Sequence, residues 1–214
     1  MSAKRIAVLV SGGGTNLQAL IDAQAADALG GGSICAVIAS KPGVWALERA
    51  RLAGIPALTV ARKGYPDIAA FSRALETALA PFAPDLIVLA GFLSILDAQF
   101  CGTYPHIINI HPALIPAFCG KGMYGLKVHE AALARGVKVT GATVHFVNAE
   151  ADGGPIIAQR TAEVLEGDTA EALQQRVMAQ CEQILLPEAV RLFFAGRLTL
   201  ENGRAVILED FNEA

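Results

Sequence analysis

Residues 107–112 read Ile-Ile-Asn-Ile-His-Pro, and this stretch decides how the sequence around it is interpreted. Its apolar, β-branched residues predict a buried strand that the proline ends. Side chains alternate between the two faces of a strand, so Asn109 and His111 point the same way, about 7 Å apart. An amide and an imidazole at the carboxyl end of a buried strand suit a site that stabilises an oxyanion and moves a proton. The alternative is a pair of hydrogen-bonded polar groups in the core.

The strand at residues 106–110 follows a regular alternation of strands and helices. Earlier strands are predicted at residues 4–10, 33–39, 57–60 and 85–90, with helices between them. This rhythm is typical of an α/β fold with a doubly wound, mostly parallel sheet, whose ligands bind beyond the carboxyl ends of the strands. Residues 138–147 and 155–162 predict two further strands. Because no helix joins them, we expect an antiparallel extension of the sheet in the C-terminal half.

The remaining residues predict a long helix and a small hairpin. Asp168 and Thr169 are expected to cap a helix that runs to about Pro187 and resumes to residue 195. Asn202 and Gly203 predict the turn of a terminal hairpin.

A glycine-rich turn, Ser-Gly-Gly-Gly-Thr-Asn at residues 11–16, lies between the first strand and a helix expected from about residue 17. Backbone N–H groups and the positive end of the helix favour an anion here. Thr15 and Asn16 can add side-chain donors or cap the helix. The turn lacks both the G-x-G-x-x-G pattern and the lysine of a P-loop, so it predicts a phosphate monoester and not a dinucleotide. A tight strand–helix turn without any ligand is the alternative.

Composition excludes several classes of protein. The 214 residues are 53% apolar and 17% charged, which favours one globular domain spanning residues 1–214 over a disordered chain. The net charge is −3 and no basic stripe is present, which argues against a nucleic-acid partner. The longest apolar run, residues 86–96, is too short to cross a membrane. The four cysteines lack metal-ligand spacing, so we expect free thiols in the cytoplasm and no metal.

Several motifs, taken together in order and spacing, resemble those of the folate-dependent formyltransferases. The motifs are SGGGTNLQ at residues 11–18, LAGF at 89–92, NIHPAL at 109–114, GKGMYG at 120–125, GATVHFV at 141–147 and DGGPII at 152–157. The resemblance covers residues 5–203 and implies the Rossmann-like fold of that family. It also implies transfer of the formyl group of 10-formyltetrahydrofolate, as co-substrate, to the amine of glycinamide ribonucleotide in purine biosynthesis.

The predicted catalytic residues are Asn109, His111 and Asp152. Attack of an amine on a formyl carbon forms a tetrahedral oxyanion, to which Asn109 can donate its amide N–H. His111, if protonated, can donate as well and later supply a proton to the leaving nitrogen. Asp152 can hold His111 charged, because a neighbouring carboxylate raises the pKa of a histidine, or can take the proton of the amine through a water. This chemistry requires no metal and no covalent intermediate with the enzyme.

The resemblance also assigns the residues that bind the two substrates. The phosphate and ribose fall to Gly13, Gly14, Thr15, Asn16 and Glu182. The folate falls to Phe92, Leu93, Ser94, Ile95, Leu96, Asn148 and Ala151. Thr143 and His145 lie two apart on one strand and so share a face, where they either support the site or pack in the core.

Two positions depart from the pattern of the family. Many members have an arginine where Ser94 stands and another near Ile68, both expected near the glutamate tail of the folate. Their absence predicts altered recognition of the tail. Lys121, Lys63 and Arg62 are the candidate replacements.

Three other functions remain open on sequence grounds. A formyltetrahydrofolate hydrolase shares the catalytic residues but carries an N-terminal regulatory domain, and an initiator-tRNA formyltransferase carries a C-terminal RNA-binding domain. We expect neither extension here. A sugar-phosphate-binding module without catalysis is the third alternative, although such a module has no use for proton-transferring groups. The oligomeric state is expected to be a monomer or a homodimer, and residues 116–124 are a candidate lid.

Overall fold

The computed structural model describes residues 4–208. The strands are β1 (Lys4–Val10), β2 (Gly32–Ala39), β3 (Ala57–Thr59), β4 (Leu86–Leu89), β5 (Ile107–His111), β6 (Val139–Phe146), β7 (Ile156–Glu163), β8 (Leu198–Glu201) and β9 (Arg204–Ile207). The helices are α1 (Thr15–Ala25), α2 (Trp45–Leu52), α3 (Ile68–Leu79), α4 (Ala98–Thr103), α5 (Leu126–Arg135), α6 (Ala170–Val177) and α7 (Gln183–Phe194). The last residues of the predicted domain lie outside the described range.

A seven-stranded sheet with the order β3-β2-β1-β4-β5-β6-β7 organises the fold. The pairs from β3 to β5 are parallel, and the pairs β5–β6 and β6–β7 are antiparallel. The prediction of a doubly wound, mostly parallel sheet with an antiparallel extension is confirmed. The strand order reverses between β1 and β4, which is where sheets of this kind bind ligands.

The sheet is buried on both faces, which explains the nearly continuous apolar runs of its central strands. Ile6, Val8 and Val10 of β1 pack into one hydrophobic cluster. Ala7 and Leu9 point to the other face and pack into a second cluster. Alternation along a single strand therefore supplies both halves of the core.

The antiparallel extension depends on two glycines. A Cβ on Gly141 would collide with the carbonyl of Arg160 on the neighbouring strand, and a Cβ on Gly154 would collide with the carbonyl of Phe146. Only glycine permits these close backbone approaches. The approach at Gly154 fixes the end of the segment that joins β6 to β7 and carries Asp152, whereas the approach at Gly141 lies at the other end of the β6–β7 pair.

The predicted long C-terminal helix is wrong in one respect, because it is interrupted earlier than Pro187. Thr169 caps α6 as predicted, but a π-helical turn at Met178–Glu182 separates α6 from α7, and Pro187 lies inside α7. A proline ring clashes with the carbonyl four residues before it, here that of Gln183. Gln183 directly follows the wider π turn, where the helix is already distorted.

The terminal hairpin is confirmed, with β8 and β9 pairing around Asn202 and Gly203. Both turn residues have positive φ, 50° and 76°, as an Asn-Gly turn requires. None of the helices within residues 4–208 has the length and apolar character needed to cross a membrane.

Candidate active site

A cavity of about 630 Å³ lies beyond the carboxyl ends of β1, β4 and β5. The β1–α1 turn, the β4–α4 loop, the end of β5 and the segment between β6 and β7 all line it. Of the predicted site residues, Thr143 alone is not part of the lining. The fold therefore brings together segments that are far apart in the sequence.

The three predicted catalytic residues lie together at one end of this cavity. Asp152 places Oδ2 3.5 Å from Nδ1 of His111. Asn109 lies on the same strand as His111 and shares its face. The side chain of His111 is only 5% exposed and that of Asp152 15% exposed, so little water screens their interaction.

His145 directly contacts two of the three predicted catalytic residues, Asn109 and Asp152. It lies directly opposite Asn109 in the β5–β6 pair, with Nε2 3.1 Å from the amide nitrogen of Asn109 and 3.7 Å from Oδ1 of Asp152. Nδ1 of His145 lies 2.7 Å from the carbonyl oxygen of Phe146, which can only accept, so Nδ1 carries the proton. Nε2 therefore accepts from Asn109 and orients its amide while the ring is neutral, and it can donate to Oδ1 of Asp152 when the ring carries a second proton.

Thr143 makes hydrogen bonds to the chain that follows His111. Its hydroxyl donates to the carbonyl of Ala113 and accepts from the N–H of Ile115 and from the amide of Gln159. Thr143 is fully buried and lies opposite His111 in the sheet. These hydrogen bonds hold residues 113–115 against β6, and Thr143 itself does not line the cavity.

The loop after β5 contacts both ionisable groups of the site. Nε2 of His111 donates to the carbonyl of Phe118 at 2.9 Å, and the N–H of Gly120 donates to Oδ2 of Asp152 at 2.8 Å. The sequence flagged this loop for its glycines and as a candidate lid. It gave no sign that the backbone of Phe118 and Gly120 would contact His111 and Asp152.

The pKa values of His111 and Asp152 are each set by opposing effects. Burial lowers the pKa of His111 below its usual value, although the charge of Asp152 and the carbonyl of Phe118 raise it. Burial raises the pKa of Asp152, but His145, the N–H of Gly120 and the charge of His111 outweigh it, so the net shift is downward. Asp152 is therefore ionised at neutral pH, and His111 is mostly neutral in the free protein.

The glycine-rich turn differs from its prediction at the start of the helix. Helix α1 begins at Thr15, directly after Gly14, which adopts a left-handed conformation with φ of 74° and caps the helix without a side-chain hydrogen bond. Asn16 lies inside α1, so of the two roles predicted for it, capping the helix or supplying a side-chain donor, capping is wrong. Its amide instead donates to Oε2 of Glu182 at 2.7 Å.

This contact brings together two residues that the sequence assigned to the same substrate from opposite ends of the chain. Glu182 is the last residue of the π turn and is 5% exposed. Burial raises its pKa, and the hydrogen bond from Asn16 partly offsets that effect. Oδ1 of Asn16 is buried without a hydrogen-bond partner in the structure.

The predicted folate-binding loop divides into core and surface residues. Phe92 and Leu96 are buried, and the Phe92 ring stacks on that of Phe71 with centroids 6.3 Å apart. Leu93 and Ile95 are about half exposed, although large apolar side chains are usually buried. The loop thus anchors itself in the core and presents two aliphatic side chains at the cavity.

Two residues of the segment between β6 and β7 were also predicted to contact folate. Asn148 donates to the carbonyl of Gly153 and accepts from the N–H of Glu150, so its side chain closes the segment on itself. Ala151 is exposed beside Asp152. Asp152 has a positive φ of 56°, a conformation that aspartate tolerates better than most residues.

The structure adds cavity residues that sequence reasoning missed. Ser11 is not itself part of the lining, but it accepts from the N–H of Leu93 at 2.9 Å and so joins the β1 turn to the β4 loop. His129, Gln174 and Met178 do line the cavity. Ser11 belongs to a recognised motif, but helical residues such as Gln174 and Met178 carry no distinguishing local pattern.

The candidate replacements for the missing arginines differ in position. Lys121 lines the cavity, whereas Arg62 and Lys63 do not. Within residues 4–208, Lys121 is the one lysine or arginine of the lining.

The four cysteines are free thiols, and no group of three or more His, Cys, Asp or Glu residues in the described range is arranged to hold a metal.

Comparison with known proteins identifies the family. The formyl transferase model matches residues 4–190. The chain belongs to the formyl transferase family. The family that the motifs predicted is therefore confirmed, and with it the Rossmann-like fold of these formyl transferases.

Relatives within the formyl transferase family cover nearly the whole chain. It is 39% identical to phosphoribosylglycinamide formyltransferase from Escherichia coli (strain K12), over 94% of this chain and 92% of that protein. Glycinamide ribonucleotide transformylase 1 from Symbiobacterium toebii has a similar crystal structure, with a TM-score of 0.89, 45% identity and coverage of 96% of this chain and 94% of that one.

Two further relatives differ from these, one because it is a much longer protein and the other because it is named as a deformylase. The chain is 42% identical to the trifunctional purine biosynthetic protein adenosine-3 of Bos taurus over 94% of its own length, but it spans only 19% of that protein. A formyltetrahydrofolate deformylase from Pseudomonas syringae has a TM-score of 0.85 at 28% identity, covering 97% of this chain and 67% of that one.

Proposed function

We propose that this protein transfers the formyl group of 10-formyltetrahydrofolate to the amine of glycinamide ribonucleotide, a step of purine biosynthesis. One observation carries the proposal. Asn109, His111 and Asp152 meet in a cavity bounded by a glycine-rich turn on one side and an aliphatic loop on the other. The similarity to the Escherichia coli phosphoribosylglycinamide formyltransferase supports the choice of substrate.

The lowered pKa of His111 indicates which group accepts the proton of the attacking amine. Because His111 is mostly neutral and Nε2 donates to Phe118, Nδ1 has a free lone pair directed towards Asp152. As the amine of the ribonucleotide attacks the formyl carbon and the N–C bond forms, Nδ1 takes its proton. The imidazolium is stabilised by Asp152 and then gives the proton to the folate nitrogen as the old C–N bond breaks. His111 therefore need not be protonated beforehand, the condition attached to its predicted role as a donor.

Asn109 supplies the donor for the tetrahedral oxyanion. One amide hydrogen is directed to Nε2 of His145, which fixes the amide and leaves the second hydrogen for the developing negative charge. A donor that is already oriented needs no reorganisation as the charge develops, and such donors contribute strongly to catalysis. His145 thus acts in this mechanism as a positioning residue.

The two substrates are proposed to occupy opposite walls of the cavity. The phosphate binds at the N–H groups of the Gly13–Gly14–Thr15 turn, at the start of α1, and the ribose hydroxyls bind Glu182 beside Asn16. The folate lies along Leu93, Ser94 and Ile95, and the segment that carries Asp152 closes the reacting centre. The free thiols fit a reducing compartment, which supports the proposed cytoplasmic location.

Formyl transfer measured with purified protein tests the proposal. Formylated ribonucleotide should form only when glycinamide ribonucleotide and 10-formyltetrahydrofolate are both present. Release of formate at the same rate without the ribonucleotide would instead indicate a deformylase like the Pseudomonas syringae relative. Tight binding of the ribonucleotide with no turnover would leave a sugar-phosphate-binding module.

A further inference from the structure

Helix α2 packs directly against the back of the glycine-rich turn. The N–H of Ala46 donates to the carbonyl of Gly12 at 3.3 Å, and Nε of Arg49 donates to the carbonyl of Gly13 at 2.9 Å. Nη1 of Arg49 also donates to Oε1 of Gln18 in α1, at 2.9 Å. One side chain therefore ties the turn to the helix that follows it.

These contacts determine where the donors of the turn point. In a trans peptide the C=O of one residue and the N–H of the next point in opposite directions. Anchoring the carbonyls of Gly12 and Gly13 to α2 therefore turns the N–H groups of Gly13 and Gly14 away from α2. The turn lines the cavity, whereas α2, which lies wholly within the described residues, contributes nothing to the lining. The N–H groups are thus directed to the side on which an anion would bind.

The close approach of α2 also explains why Gly14 has no side chain. A Cβ at Gly14 would lie 2.7 Å from Cβ of Ala46, closer than real carbon atoms approach. Its φ of 74° is a second reason, since residues with a Cβ rarely adopt it. Both the backbone conformation of the turn and its contact with α2 therefore require glycine at position 14.

We propose that Arg49 is a positioning residue for the phosphate of the substrate, acting through the Gly13 carbonyl on the backbone donors of the turn. The inference rests on the proposed function, since it takes the anion to be the phosphate of glycinamide ribonucleotide. Arg49 does not touch the phosphate; it holds the donors in place and adds a positive charge behind them. Loss of this contact weakens phosphate binding and leaves the transfer step unaffected.

The test compares variants at Arg49 with a matched control on the same helix. Arg49→Met removes both hydrogen bonds and the charge, Arg49→Lys keeps the charge, and Arg49→Gln keeps a donor without charge. Arg51→Met is the control, because Arg51 is exposed and pairs only with Glu48 in the described structure. Calorimetric titration with ribose 5-phosphate measures the anion site without requiring turnover, and thermal melting checks the fold.

Arg49→Met should weaken ribose 5-phosphate binding by up to about tenfold, because the one charge-assisted hydrogen bond that orders the donors of the turn sets the upper limit of the loss. KM for the ribonucleotide should rise in parallel, while kcat and KM for the folate stay constant, and Lys or Gln should restore part of the affinity. Equal affinity of Arg49→Met and wild type would overturn the inference, as would an equal loss in Arg51→Met. If Arg49→Met does not fold, wild-type affinity in both Arg49→Lys and Arg49→Gln overturns it. If the wild type binds ribose 5-phosphate but transfers no formyl group, the proposed function fails while the role of Arg49 is still measured.

Discussion

Nδ1 of His111 lies 3.5 Å from Oδ2 of Asp152, although the two residues come from different segments of the chain. His111 ends a central strand, whereas Asp152 lies in the segment that joins the two strands of the antiparallel extension. Strand β6 is antiparallel to β5 and places His145 opposite Asn109, and the segment that follows β6 brings Asp152 within reach of both His145 and His111. The path of the chain through β6 and the segment after it therefore builds the His111–Asp152 pair.

Replacement of Asp152 by asparagine should reduce kcat by about 10²–10⁴-fold, because the imidazolium formed during transfer loses its counter-charge. The amide can still accept from the N–H of Gly120, so the fold should persist. Single-turnover formyl transfer, with circular dichroism as the check on folding, measures this. Turnover near the wild-type rate would remove Asp152 from the mechanism.

The pH dependence of kcat/KM should show an acid limb set by His111. Burial lowers the pKa of His111, so the neutral, proton-accepting form predominates at neutral pH and is lost only as the pH falls through a value below the usual 6.5. The charge of Asp152 raises this pKa. Asp152→Asn should therefore move the acid limb of the residual activity to lower pH. A rate that increases as the pH falls would show that protonated His111 is the active form.

Much of this architecture could be predicted because the responsible signals are local. The run at Lys4–Val10 is apolar and stops at glycines, and its predicted bounds match β1. Asn202 and Gly203 specify their own turn, since few residues tolerate positive φ. Asn109 and His111 could be placed on one face because alternation along a strand requires no tertiary information.

Features that depend on long-range contacts could not be predicted. The contact between Asn109 and His145 requires the register of β5 and β6, two strands that a helix and two loops separate in the sequence. Residues 178–182 are ordinary helix formers, and their sequence does not distinguish i→i+4 from i→i+5 hydrogen bonds, so the π turn was missed. Asn16 is a good N-cap residue, but its tertiary contact with Glu182 overrides that preference.

Gly154→Ala should destabilise the protein by about 1–3 kcal/mol and reduce activity, because the new Cβ collides with the Phe146 carbonyl and displaces the segment that carries Asp152. Thermal melting and the formyl-transfer assay measure the two effects. Gly102→Ala is the control, since Gly102 lies in α4 with nothing within 4 Å of the new Cβ. It should leave activity unchanged and stabilise the protein by about 0.4–1 kcal/mol. Equal behaviour of the two variants would contradict this account of the β6–β7 segment.

The affinity for the folate should depend only weakly on the number of glutamates in its tail. Lys121 should account for that weak dependence. Ser94 and Ile68 are uncharged, and among the described residues Lys121 is the lysine or arginine that lines the cavity. KM for folates with one and with several glutamates should differ little, and Lys121→Met should abolish the difference. Because Lys121 is exposed, added salt should have a similar effect. Lys63→Met is the control outside the cavity, and a strong tail dependence unaffected by Lys121→Met would refute the prediction.

His129 should make the protein sensitive to acid. It is fully buried, neither ring nitrogen has a hydrogen-bond partner in the structure, and burial lowers its pKa from 6.5 to about 4. Between these values the unfolded chain binds a proton that the folded protein does not, so stability falls as the pH drops from 6.5 towards 4, by up to about 3 kcal/mol. In urea unfolding, His129→Leu should reduce the dependence of the unfolding free energy on pH between 6.5 and 4. His106 is exposed, so His106→Gln should leave that dependence unchanged. The effect is expected between about pH 7 and pH 4.5. If His129→Leu loses as much stability as the wild type over this range, another group causes the acid sensitivity.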